Sequence, residues 1–132
     1  MILNIPVSAG ELVDKITILE IKSKRIKENY KLKAIHYELK MLSKEYDRIC
    51  KKIPGKMNEL NELKHKLYNI NNSLWRAEDK IRILESKKKF NRDFIKSARD
   101  IYIKNDKRSM IKNKINLLTG SELHDIKHYE KY

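Results

Sequence analysis

Between Glu11 and Thr119 the chain meets one backbone break, Pro54-Gly55, and that lack of punctuation constrains the fold more than any other feature. From Leu32 the apolar positions Leu32, Ile35, Leu39, Leu42, Tyr46 and Ile49 step by three and four. Beyond the break Leu60, Leu63, Leu67, Ile70, Leu74, Ala77, Ile81 and Leu84 do the same. A half-buried strand would alternate by twos, so both stripes read as helix, with the heptad-like spacing of a coiled-coil seam. A short turn between them predicts an antiparallel coiled-coil hairpin, Leu32 to Ile49 against Leu60 to Leu84, in an all-α fold.

The N-terminal helix start is written out in full. In the run Ile5-Pro6-Val7-Ser8-Ala9-Gly10-Glu11-Leu12, Ser8 is placed to accept from the Glu11 backbone while the Glu11 side chain reaches back and Val7 staples onto Leu12. Downstream, Leu12, Ile16, Leu19 and Ile26 keep the rhythm in a different phase, which predicts one long helix from Ala9 to Lys52 through a stutter near Glu28 to Lys31. At about 1.5 Å per residue it would run roughly 65 Å, about a third longer than the helix Lys56 to Lys88. That leaves an end for a further helix to cover. This helix opens with Asn91 as cap, Phe90 stapled to Ile95 and Asp93 at the positive end of the dipole, and it runs to Leu118 before Gly120 ends it. Ser121 is placed to cap a last short turn, His124 to Tyr129. Residues 1–132 thus read as a single helical domain, an elongated three- to four-helix bundle with the long last helix packed alongside the hairpin.

A net charge of +13 invites a polyanion, but the excess is mostly Lys, as an AT-rich genome imposes, with no arginine-rich stripe or aromatic stacking platform. Nucleic-acid binding therefore rests on charge alone. The lone Cys50 has no disulfide partner, and no stretch has the make-up of a signal peptide or membrane span, so a cytoplasmic protein with no membrane association is expected.

Polar residues interrupt the apolar stripes in three places. In the last helix the seam begins Phe94, Ala98, Ile101 but continues Asn105, Arg108 and Lys112, with Arg99, Tyr102 and Asp106 alongside, before Ile115 restores it. Either these polar groups are paired inside, or the stripe slides to Ile103, Met110 and Leu117 and leaves them in water. Trp75, Glu78, Asp79 and Arg82 share neighbouring turns, read either as a pocket floor with Trp75 stacking and Arg82 clamping an anion, or as surface pairs around a core Trp. In the first helix Glu11 and Lys15 form an ordinary surface spacing, which leaves Asp14 as the informative residue. His124 and His128 lie four apart but lack a third ligand, so no metal is expected. No glycine-rich phosphate cradle or nucleophile motif is present, and neither a catalytic residue nor a cofactor is expected.

These clusters, with the Ile5 to Lys22 run, Leu74-Trp75 followed by Glu78-Asp79 and Ile81-Arg82, Ala98-Arg99, Tyr102, Asn105-Asp106, Arg108, and Ile115-Asn116 leading to Gly120-Ser121, resemble a family of small, mostly bacterial proteins catalogued as a domain of unknown function. The resemblance implies that the three clusters belong together, and it implies a surface-glycan context without implying an activity. The resulting expectation is a helical binding module for a partner protein or small anionic ligand, with Asp14, Lys15, Trp75, Asp79, Arg82, Arg99, Asn105, Asp106 and Arg108 as ligand-binding residues. A small all-helical enzyme acting on an anionic metabolite is the alternative, and a nucleic-acid-binding protein the third. An apolar seam left uncovered would be closed by a homodimer.

Overall fold

The computed structural model describes residues 1–132. It is helical without strands: α1 (Ala9–Arg25), α2 (Asn29–Lys52), α3 (Met57–Ser86) and α4 (Arg92–Thr119), with a short 3-10 turn, Pro54–Lys56, between α2 and α3. No helix is long and apolar enough to cross a membrane.

The expected continuous helix from Ala9 to Lys52 does not form. At Ile26 (φ −85°, ψ 135°) and Glu28 (φ −71°, ψ 121°) the backbone is extended, and the chain folds back so that α2 packs on α1. The physical reason lies in α1 itself. Leu12, Val13, Ile16, Leu19 and Ile21 are all buried along with Asp14 and Thr17, more than one face of a helix, because α2, α3 and α4 all pack against it. A straight continuation into α2 would leave one of those faces uncovered. The change of apolar phase near Glu28 therefore marks a break, where a stutter was expected.

Pairing differs from expectation for the same reason. α1 occupies the place α2 was expected to take beside α3, and α2 joins α3 near the Pro54–Lys56 turn, where Tyr46, Ile49, Cys50 and Ile53 pack around Val13, Leu60, Leu63, Leu67 and Ile115. Burial raises the Tyr46 phenol above its ordinary pKa, and its hydroxyl donates to Asn61 at 2.9 Å. The long antiparallel pairing is instead between α3 and α4. Ile35 alone is fully buried on α2.

Local signals for α4 hold at both ends. The Asn91 side chain accepts from the Phe94 backbone at 3.2 Å, and Gly120 ends the helix in the left-handed conformation (φ 66°). The Ser121 amide then donates to the Asn116 carbonyl at 2.9 Å and Gly120 to Leu117 at 3.3 Å, the paired bonds of a Schellman end. The expected last turn, His124 to Tyr129, is not formed: residues 121–132 carry no helix and lie against α4, because Ser121 is engaged with α1 and does not cap. Past Ala77 on α3 and before Ser97 on α4 no residue is buried, so the far end of this pair is a two-helix tip with Ile83, Phe90 and Ile95 exposed.

Candidate functional site

The start of α1 is pressed against α4 more closely than a side chain allows. A Cβ on Gly10 would lie 2.4 Å from the Lys112 carbonyl oxygen and 2.8 Å from Asn116 Oδ1, so only glycine fits. Every leading amide of the helix is satisfied there. Ala9 donates to Ser121 Oγ (3.3 Å), Gly10 to the fully buried Asn116 Oδ1 (2.6 Å), Glu11 to Ser8 Oγ (3.0 Å) and Leu12 to the Ser8 carbonyl (3.1 Å). Ser8 is the cap its sequence announced. The Glu11 side chain, expected to reach back to Ser8, pairs with Lys112 Nζ at 2.7 Å.

One turn on, Asp14 is 1% exposed and binds three donors. Arg108 grips both carboxylate oxygens, Nε to Oδ1 at 2.8 Å and Nη2 to Oδ2, while Asn71 Nδ2 donates to Oδ1 at 2.9 Å. Asn71 Nδ2 also donates to Thr17 Oγ1 at 2.9 Å, and the Thr17 hydroxyl donates to the Asp14 carbonyl at 2.8 Å. A buried carboxylate is tolerable only when paired and saturated in this way, and no buried side-chain polar atom lacks a partner. The hydrogen bonds that Arg108 donates to Asp14 raise its pKa further, against the opposing effect of burial, so its charge is fixed.

The polar seam of α4 therefore points inward. Arg108 is half-buried, Ser109 and Lys112 are buried, and of the alternative register Met110 and Leu117 are exposed while Ile103 is half-buried. Asn105, Arg108, Ser109 and Lys112 line a polar cavity of about 140 Å³ that Asp125 and Lys127 of the tail close from the other side. Lys112 is 9% exposed at its side chain, with its ammonium 2.7 Å from Glu11 and 3.6 Å from Asp125. Ser109 donates to Asp125 at 2.7 Å, Asn113 donates to the Asp125 carbonyl at 2.9 Å, and the Asp125 amide donates to Asn113 Oδ1 at 3.0 Å. Burial raises the Asp125 pKa, but the Ser109 hydroxyl and the Lys112 and Lys127 ammonium groups outweigh it and hold the carboxyl below its ordinary value.

Of the nine residues singled out in the sequence, Asp14, Asn105 and Arg108 meet, since Arg108 Nη1 also donates to Asn105 Oδ1 at 3.4 Å. Asp106 lies on the next position of α4 and accepts from the Tyr132 hydroxyl, which pushes that phenol up to about 12. The others stand apart. Lys15 pairs with Glu38 at 2.7 Å and Arg82 with Glu78 at 3.5 Å, both on the surface. Trp75 is half-buried under the Arg25 guanidinium, 5.4 Å from its ring centre, and Asp79 and Arg99 are exposed. The second cluster is thus a set of surface pairs around a core-side Trp, because Glu78 and Arg82 satisfy each other one turn apart on their own helix.

Sequence reasoning missed Asn71, which follows Leu67 at the core spacing and occupies the stripe position assigned to Ile70. It did not single out Asp125 or Lys127, named Asn116 only within the family pattern, and noted Lys112 only as an interruption of the seam. Asn71 carried a signal, a lone polar residue at core spacing three residues before Leu74. Asp125 carried none, because its partners are sixteen and twelve residues away with no helix between them to set a period.

Residues 3–132 match a family described as a family of unknown function, DUF6165. The chain belongs to that family. The match takes in the Ser8 start, Asp14, Arg108 and the tail through Tyr132, so every residue of the cavity lies within it. No curated protein and no solved structure matches the chain.

Proposed function

We propose that the chain is a helical binding module, in a reducing cytoplasm, whose polar cavity takes the phosphate or carboxylate group of a small anionic ligand. The observation that carries this reading is the way Asp14 holds Arg108. A guanidinium has five N–H donors; two go to Asp14 and one to Asn105, which leaves two at the edge of the cavity on a side chain that cannot swing away. Such a preset fork suits bidentate recognition of an oxyanion, and the buried Lys112 adds a second donor whose desolvation strengthens each contact. Charge on this protein is otherwise diffuse lysine, which attracts polyanions without shaping a site.

The test is a titration with inorganic phosphate at constant ionic strength, followed by calorimetry. A Kd on the order of 0.1 mM corresponds to about −5.5 kcal/mol, or roughly 1.1 kcal/mol per heavy atom, within the ceiling for very small ligands. Asn105 lines the cavity but anchors no helix, so Asn105→Ala should weaken phosphate about tenfold without loss of helix content. Arg82→Ala on the surface pair should change nothing. Equal binding by all of these variants, with an affinity that collapses with added salt, would replace the cavity by diffuse polyanion attraction.

A further inference from the structure

We propose that Asp125 is the resting occupant of this cavity, a carboxylate supplied by the chain itself that the anionic ligand displaces, releasing residues 122–132 from α4; the inference rests on the anion-binding reading above. Competition for shared donors leads to it. The helices bring the cations Arg108 and Lys112 and the carboxylates Asp14 and Glu11, and the tail adds Asp125 and Lys127. An added anion and the Asp125 carboxylate cannot both take the Ser109 and Lys112 donors, so binding there requires that one carboxylate leave. Asp14 is buried and held by two helices, and Glu11 belongs to the first turn of α1. Asp125 alone sits on a segment without secondary structure.

Its contacts are those an oxyanion would make. One Asp125 oxygen takes the Ser109 hydroxyl hydrogen at 2.7 Å and lies 3.6 Å from the Lys112 ammonium. A phosphate oxygen placed there would receive the same two donors while its other oxygens met Arg108 and Asn105. The tail gives little resistance to displacement. Leu123, Ile126, Tyr129 and Tyr132 are exposed, so it buries little apolar surface; what holds it is one edge-on contact of Tyr132 with Tyr102 and a handful of polar bonds that water replaces at small net cost.

The experiment compares wild type with Asp125→Ala in phosphate titrations at matched sodium chloride, with tryptic cleavage at Lys127 and Lys131 as a second readout. Asp125 lies outside the helices, and circular dichroism checks that the variant keeps them. Asp125→Ala should bind phosphate at least tenfold more tightly, and its tail should be cleaved quickly with or without phosphate. In wild type, cleavage should accelerate with phosphate and not with chloride. Equal affinities, with a wild-type tail still protected at saturating phosphate, would overturn the displacement and leave the cavity standing. Absence of phosphate binding in both proteins would overturn both.

Discussion

Replacing Gly10 by alanine is a one-methyl change whose cost follows from coordinates. In an ordinary helical turn Gly→Ala stabilises by about 0.5–1 kcal/mol through backbone entropy. Here the new carbon would stand 2.4 Å from the Lys112 carbonyl oxygen, where ordinary contact begins at 3.4 Å, and the obstacle is backbone in the middle of α4 that cannot rotate aside. α1 must retreat by about 1 Å, an overpacking cost of about 1–3 kcal/mol. The same retreat stretches the 2.6 Å bond from the Gly10 amide to Asn116 beyond hydrogen-bonding range and strands a fully buried acceptor, for about 1–3 kcal/mol more. Net destabilisation is about 3 kcal/mol, which for 132 residues lowers Tm by roughly 10 °C. Thermal and urea melts followed by circular dichroism measure it. Gly55→Ala, with nothing within 4 Å of the added carbon, is the internal control and should melt like wild type. A Gly10→Ala protein as stable as that control would refute the close approach of α1 to α4 and every contact derived from it.

Asp14→Ala leaves Arg108 and Asn71 without their acceptor and should cost about 2–4 kcal/mol in urea unfolding, whereas Arg82→Ala, on an exposed i,i+4 pair, should stay within about 0.5 kcal/mol. Because the Asp125 carboxyl lies below its ordinary value when docked, docking is favoured above the free carboxyl pKa of about 4 and is lost as pH falls through the lowered value; the protection of residues 122–132 against hydrogen exchange, relative to the intrinsic rate at each pH, should stay constant from pH 7 to 5 and fall only below pH 4. The surface of 9790 Å² exceeds the roughly 7,300 Å² of a compact monomer of this mass, and part of the excess is the two-helix tip. Light scattering should therefore show a homodimer at micromolar concentration, dissociated by Ile95→Glu with Phe90→Glu; a monomer at high micromolar concentration would end that proposal.

Features that depend on residues three or four apart were legible in the chain. The Ser8 and Asn91 caps, the Gly120 stop and the helical period all arise within one turn, so their partners are visible beside them. The break at Ile26 to Glu28 was not, because no Gly or Pro forces it; it results from competition among three helices for the faces of α1. The candidate site divides along the same line. Asp14 and Arg108 stood out as polar residues beside apolar seams, but Trp75, Asp79 and Arg82 gave the same signal, and only the packing shows that Arg82 pairs on its own helix, Asp79 faces solvent and Trp75 lies under Arg25 of α1, away from Asp14 and Arg108. Asn71 could be read from spacing, whereas Asp125 depends on where an irregular tail happens to lie.

The ties that fix α1 join the first and last helices of the chain: Gly10 to Asn116 across 106 residues, Asp14 to Arg108 across 94, and Ala9 to Ser121 across 112. On the ribosome α1 is made before the α4 residues that hold it. Until α4 has emerged, the Asp14 carboxylate has no guanidinium and cannot be desolvated without penalty, so the first helix must wait in water or in loose association with α2. An all-helical protein usually folds quickly because its contacts are local, yet here the final register depends on closing nearly the whole chain into a loop. Synthesis, rather than helix formation, then sets the pace at which a newborn copy becomes native, and a truncation before Arg108 leaves a nascent chain that holds helices but no fixed arrangement of them.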